Sequence, residues 1–159
     1  PQNLNAVKKI LEIKQRSAAK GLILVASDIK QVFPYIKKLS PEAITKITRP
    51  SKWAITWLIP ANENISTLLT GTHITEVTTE KKIAIRISQH PMIKALCQQL
   101  GHPIVSTSAN VTGQAMCWSA NEVKQQLKTG IKYILNGQCG AQTKVSEIRD
   151  LITDQQIRA

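Results

Sequence analysis

Histidine and cysteine are scarce in this 159-residue chain, with three of each. Cys97, Cys117 and Cys139 are odd in number and contain no C-x-x-C pair, while His73, His90 and His102 are scattered. Neither a zinc ligand set nor a disulfide framework is spelled out, and a reducing compartment is the expectation. Aromatic residues make up only 4%. Trp53, Trp57 and Trp118 do not have the spacing of a base-stacking platform, which removes support for RRM and OB readings. No apolar run approaches membrane-spanning length and no secretory h-region opens the chain, so a cytoplasmic protein without a membrane partner is expected. There is no P-loop, no G-x-G-x-x-G and no G-x-S-x-G elbow, and no histidine stands out as a base. Acidic residues are also few, ten against 21 basic, for a net charge of +11. Such a surface attracts phosphate-bearing partners. The lysine pairs Lys8-Lys9, Lys37-Lys38 and Lys81-Lys82 are dispersed, however, and fit a solvated basic face as well as they fit an RNA surface.

The 42% apolar content is that of a globular chain long enough for one core. Asn5 is placed to cap a helix through about Arg16, with Val7, Ile10 and Leu11 on one face. Leu22 to Ala26 reads as a strand. Asp28 caps a helical stretch made irregular by Pro34, and Ser40-Pro41-Glu42 starts another helix. Ala54 to Ile59 is a strand, and the polar segment from Pro60 to Lys82 is mostly loop. Ile83, Ile85 and Ile87 alternate with Ala84, Arg86 and Ser88 as in a half-buried strand. Pro91 opens a helix with Ile93, Leu96 and Leu100 inward and Gly101 at its C-terminal cap. Ile104 to Ser106 is a strand. Ser119 and Glu122 form a capping box for a helix through Leu127. Tyr133 to Leu135 and Val145 to Leu151 complete the strands. Strands interleaved with helices predict one α/β domain around a mixed sheet.

The run Ser106-Thr107-Ser108-Ala109-Asn110 follows the apolar Pro103-Ile104-Val105. Hydroxyls and an amide at the end of a buried strand are donors and acceptors aimed at a ligand such as a phosphate, nucleotide or amino acid. Ser108 and Asn110 share a face only if this run stays extended. Lys14, Arg16 and Lys20 surround a helix-to-strand turn and could neutralise a triphosphate, a guanidinium fork beside mobile ammoniums. A solvated helix end favoured by the helix dipole is the competing account. Arg86 lies opposite the isoleucines of its strand, where it could grip a carboxylate or stand exposed on the open face of the sheet.

The segments EIKQR with KGLILVA, AIRISQHP, GHPIVSTSANVTG and VSEIRD, in this order, resemble the YrdC (TsaC) branch of threonylcarbamoyl-AMP synthases. The resemblance runs from near the first residue to the last. It implies a YrdC/RibB-like α/β (α+β) fold, a twisted mixed sheet flanked by helices, as one domain over residues 1–159. It also implies a nucleotidyltransferase that joins L-threonine, bicarbonate and ATP, with Mg2+ on the phosphates. The products are threonylcarbamoyl-AMP and pyrophosphate, for threonylcarbamoyladenosine in tRNA. The partners implied are tRNA and downstream threonylcarbamoyl-transfer proteins. By the same resemblance Lys14, Arg16, Lys20, Ser108, Asn110 and Arg149 bind ATP and its phosphates, and Arg86, Ser106 and Ser146 lie at the threonine. The family opens with a strand carrying a P-T-E/D-T-x-Y-G-L-like motif, which this chain does not contain. A chain lacking it is expected to be a fragment or a truncated member with poor turnover. The family's W-P-G-P-hydrophobic-T segment survives only as Pro50-Ser51-Lys52-Trp53-Ala54-Ile55-Thr56. A non-catalytic RNA-binding module of the same fold is the alternative.

Overall fold

A computed structural model describes residues 1–51, 53–72, 80–127, 130–135, 137 and 145–158. Helix α1, Leu4–Ile13, is capped by Asn3, whose Oδ1 accepts the Ala6 amide at 3.1 Å. The cap is therefore Asn3 and not Asn5, and the helix stops short of Arg16. Val7 and Leu11, one turn apart, are its buried face. Its end is a Schellman turn: the Arg16 amide reaches the Leu11 carbonyl and the Gln15 amide that of Glu12, with Gln15 at φ +47°. A side chain in this left-handed region costs on the order of 1 kcal/mol. The cost falls on the residue between the two candidate cations.

Strand β1 is Ile23–Ala26, and a 3₁₀ run at Ile29–Tyr35, capped by Asp28, contains Pro34. Pro34 cannot sustain an α-helical ladder, which is why this stretch stays 3₁₀. Ser40 caps α2, Pro41–Thr48, and β2 is Ile55–Pro60. The segment expected as loop holds a short helix, α3, Thr67–Thr70. Strand β3, Lys82–Ile87, is followed by α4, Pro91–Leu100, and by β4, Ile104–Ser106. Helix α5 is Ala120–Gln126, with β5, Glu147–Asp150, and β6, Gln156–Arg158, completing the chain.

The strands form one mixed sheet in the order β4-β1-β3-β2-β5-β6. Strands β1 and β3 are parallel, as are β2 and β5, and the other neighbours are antiparallel. Leu24, Trp57, Ile59, Ile83 and Ile85 project from one face into a core shared with Val7, Leu11, Val32, Ile47 and Leu69. Two expectations are corrected and one strand is added. Leu96 and Leu100 of α4 are 40% and 50% exposed. The helix turns Cys97 inward instead, where its thiol donates to the Val25 carbonyl at 3.5 Å. Tyr133 to Leu135 is not a strand: Tyr133 is 88% exposed, and a short apolar run cannot make a strand without a neighbour to hydrogen-bond. Strand β6 was not foreseen, because all three of its residues are exposed and carry no alternation.

Candidate functional site

The second face of the sheet carries the polar side chains. Register fixes which they are. Arg86 lies against Val25 of β1, and β1 sets Ile23 against Ser106 of β4. On the other side, Trp57 opposite Ile85 puts Thr56 beside Arg86, Thr56 lies against Ile148, and Ile148 against Arg158. With side chains alternating along each strand, Ser106, Arg86, Thr56, Ser146 and Arg158 share one face.

Arg86 spans β1 to donate to Ser106 Oγ at 3.2 Å. Arg158 donates to the Ser146 carbonyl at 2.8 Å, and Ser146 Oγ lies 3.0 Å from Thr56 Oγ1. Arg16 approaches from the end of α1, its Nε and a terminal nitrogen both donating to the Gly21 carbonyl at 3.3 and 3.0 Å. That carbonyl is held by a close backbone crossing. Gly21 has φ +59°, and a Cβ there would sit 2.7 Å from the Thr70 carbonyl oxygen. Burial, and then the charge of Arg158, hold the Arg16 and Arg86 guanidiniums below their ordinary values. Among the described residues none of these three arginines is paired with a carboxylate. Two guanidiniums and three hydroxyls on one floor, with Arg16 at its edge and no carboxylate paired to any of the three arginines among the described residues, are chemistry suited to an oxyanion.

Lys14 is 4% exposed and its ammonium is committed to the protein. Nζ donates to the carbonyls of Ser108 and Asn110 and lies 3.3 Å from Ser108 Oγ and 3.2 Å from Asn110 Oδ1. Ser108 Oγ in turn donates to Asn110 Oδ1 at 2.5 Å, and the Asn110 amide donates to the Gln114 carbonyl at 2.8 Å. The Thr112 amide is tied to the Lys14 carbonyl, and Gln126 of α5 accepts the Val111 amide at 2.7 Å. Lys14 thus brings Ser108 and Asn110 together as their anchor, a different duty from a free phosphate clamp. Burial first, and then the nearby Arg16, push its ammonium below the usual lysine value.

Beside this loop opens a cavity of about 520 Å³, lined by apolar side chains such as Ile10, Ile13, Ile104 and Val123 and reached by Lys14, Ser106 and Ser108. A second, more polar cleft of about 430 Å³ contains Arg86, Arg49, Ser88 and His90. The Arg86–Ser106 bond joins the two, since one partner lines each.

Two expected residues stay outside. Arg149 alternates to the core-side face of β5, where it bonds Glu147 and lies 3.9 Å from Asp154. Its expected place at the phosphates is corrected by this parity: Ser146 and Arg149 are three apart and cannot share a strand face. Lys20 is exposed at the end of the 3₁₀ turn Ala18–Lys20, and among the described residues no hydrogen bond ties it to the cluster. Sequence reasoning named Thr56 only as the end of the altered segment 50–56, without a site role, and missed Gln126 and Arg158. A threonine between Ile55 and Trp57 was the available signal for Thr56. Arg158 gave none without its strand register.

The Sua5/YciO/YrdC family model, described as telomere recombination, matches residues 1–159. A threonylcarbamoyl-AMP synthase of Serratia proteamaculans is 42% identical over 160 residues, covering 99% of this chain and 80% of that protein. Among solved structures, a variant of P. abyssi Sua5 superposes with a TM-score of 0.78 at 27% identity, over 94% of this chain and 44% of that one. P. abyssi Sua5 complexed with L-threonine gives a TM-score of 0.73 at 26% identity, over 93% of this chain and 42% of that one. This chain belongs to the Sua5/YciO/YrdC family.

Proposed function

We propose that this chain is a threonylcarbamoyl-AMP synthase. It combines L-threonine, bicarbonate and ATP into threonylcarbamoyl-AMP, pyrophosphate and water. The observation that carries the reading is the unpaired Arg16–Arg86–Arg158 cluster, linked through the Arg86–Ser106 bond to a largely apolar cavity large enough for a nucleobase. The nucleotide base enters that cavity, and the phosphates run over Arg16, Arg158 and the Ser108 hydroxyl. Arg86, steadied by Ser106, takes the threonine carboxylate with its planar fork. The threonine nitrogen, carboxylated by bicarbonate, then faces the α-phosphate. Its carbamate oxygen forms the new P–O bond as the bond to pyrophosphate breaks.

Arg16 and Arg158 neutralise charge on the attacked and leaving groups, and the anchored loop fixes their approach. No acid–base pair is required of the protein by this step. Magnesium enters as the ion that ATP carries. Among the described residues no helix is long and apolar enough to cross a membrane. We place the reaction in the cytoplasm, supplying tRNA through downstream threonylcarbamoyl-transfer proteins.

The test is calorimetric titration with MgATP and with L-threonine, beside pyrophosphate release in the presence of bicarbonate. Arg86→Ala is expected to weaken threonine by about 1.5–3 kcal/mol, the worth of a charged hydrogen bond, and to spare ATP. Loss of ATP binding with threonine binding intact would reverse the two subsites. Binding of RNA without either small molecule would replace the enzyme by an RNA-binding module.

A further inference from the structure

Thr56 is fully buried, at 0% exposure, in a strand whose other residues are Ile55, Trp57, Leu58, Ile59 and Pro60. It shares the polar face with Arg86, Ser146 and Arg158. Its hydroxyl lies 3.0 Å from Ser146 Oγ, and either oxygen could donate. Arg158 decides between the two arrangements. A guanidinium only donates, and a terminal nitrogen of Arg158 stands 3.4 Å from Ser146 Oγ, so that oxygen already accepts once.

Were Ser146 to donate to Thr56, the Thr56 hydrogen would need an acceptor of its own. Among the described residues its hydroxyl makes no other hydrogen bond. A hydroxyl hydrogen orphaned at a fully buried site is unfavourable. With Thr56 as donor, its hydrogen is used and both lone pairs of Ser146 are filled. The Ser146 hydrogen is then left over, on the side chain of the pair that keeps some exposure, 8% against 0% for Thr56.

We propose that Thr56 is a positioning residue that makes Ser146 a hydrogen-bond donor toward a ligand oxygen. Arg86, Arg158 and Ser146 then present only donors to whatever lies between them, and an oxyanion fits that floor. Naming that oxyanion as the carboxylate or carbamate of threonine rests on the synthase reading.

The experiment is titration of the wild-type chain and of Thr56→Val, Thr56→Ser, Ser146→Ala and the Thr56→Val, Ser146→Ala double variant. L-threonine is one ligand and inorganic phosphate, as a bare oxyanion probe, the other. Thr56→Val keeps the shape and removes the donor. It is expected to weaken threonine about tenfold, roughly 1.4 kcal/mol. Thr56→Ser is expected to restore the affinity, and the double variant to bind no worse than Ser146→Ala alone. A slowly exchanging Thr56 hydroxyl proton in the NMR spectrum of the wild type is expected whatever the variants' stability. Additive losses, a Thr56→Ser as poor as Thr56→Val, a Thr56→Val with wild-type affinity, or a rapidly exchanging hydroxyl proton would each overturn the positioning role and leave the synthase standing. Phosphate binding that depends on Thr56 in a chain that ignores threonine keeps the positioning role and removes the synthase reading. A wild-type chain that binds neither ligand overturns both.

Discussion

Replacing Lys14 with methionine isolates the anchor from everything else at the site. Methionine keeps the unbranched stem and the packing of a 4%-exposed side chain, and removes only the ammonium. Four acceptors lose the ammonium: the carbonyls of Ser108 and Asn110, Ser108 Oγ, and Asn110 Oδ1, which keeps the Ser108 hydroxyl as a donor. Ser108 is exposed, so its groups recover water, whereas Asn110 is 9% exposed and its carbonyl does not. An unsatisfied buried acceptor costs about 1–3 kcal/mol. The Asn110 carbonyl is the one buried acceptor left without a donor, which sets the net cost at about 2 kcal/mol. At about 2–4 °C per kcal/mol for a chain of this size, Tm is expected to fall by about 4–8 °C in scanning calorimetry. ATP affinity is expected to fall with it, because Ser108 is no longer held. A variant that melts within a degree of wild type and binds ATP as tightly would refute the anchor, and would return Lys14 to the status of a spare cation at a helix end.

Arg158→Ala is expected to weaken both phosphate and ATP about tenfold, or ~1.4 kcal/mol, in the same titrations, while Arg149→Ala leaves both unchanged; the reverse ranking would mean the β5–β6 register is misassigned. Asp150 is 3% exposed and bound by Lys82 at 2.5 Å. Burial alone would raise its carboxyl, but Lys82 and the Thr153 and Ile152 amides outweigh that and hold it below the ordinary carboxylate range. Its contribution is therefore complete above that range and lost as pH falls through the lowered value. In urea unfolding across pH, Asp150→Asn should be less stable near neutrality and should lose less on acidification, whereas parallel curves would rule this out. Gly21→Ala combines a φ of +59° with a Cβ 2.7 Å from the Thr70 carbonyl oxygen. It should cost about 1–3 kcal/mol of stability by urea unfolding and loosen Arg16.

Capping and turn chemistry made much of the fold legible beforehand. Ser40-Pro41, Asp28 and the Ser119–Glu122 pair each started the helix their side chains announce. The alternation around Ile83 and Ile85 placed β3. What sequence could not give was the partner across space. The amphipathic count placed Leu96 and Leu100 inward, but where α4 comes close to β1 at Val25 the small Cys97 is the residue buried. At the site, Arg86, Ser106 and Ser146 come onto one face only through the register of five strands, whereas the parity of Arg149 against Ser146 along one segment was readable and would have moved Arg149 away. Lys14 was legible as a cation near Ser108 and Asn110. That it is used up by their carbonyls depends on a loop whose path only tertiary contacts define. Arg158 needed the strand order itself.

Arg158 reaches the site from a three-residue, wholly exposed edge strand, whereas Arg16 stands at the opposite extreme of the sequence. Such an edge frays before the rest of a sheet does. A ligand lying across both arginines therefore ties a fraying element to the first helix. Amide exchange in Gln156–Arg158 should slow first as ligand is added, well ahead of the interior strands. Saturation at a hundred times Kd would contribute about 2.7 kcal/mol to global stability by mass action. The resistance of β6 to exchange thus becomes a gauge of occupancy that needs no turnover to read.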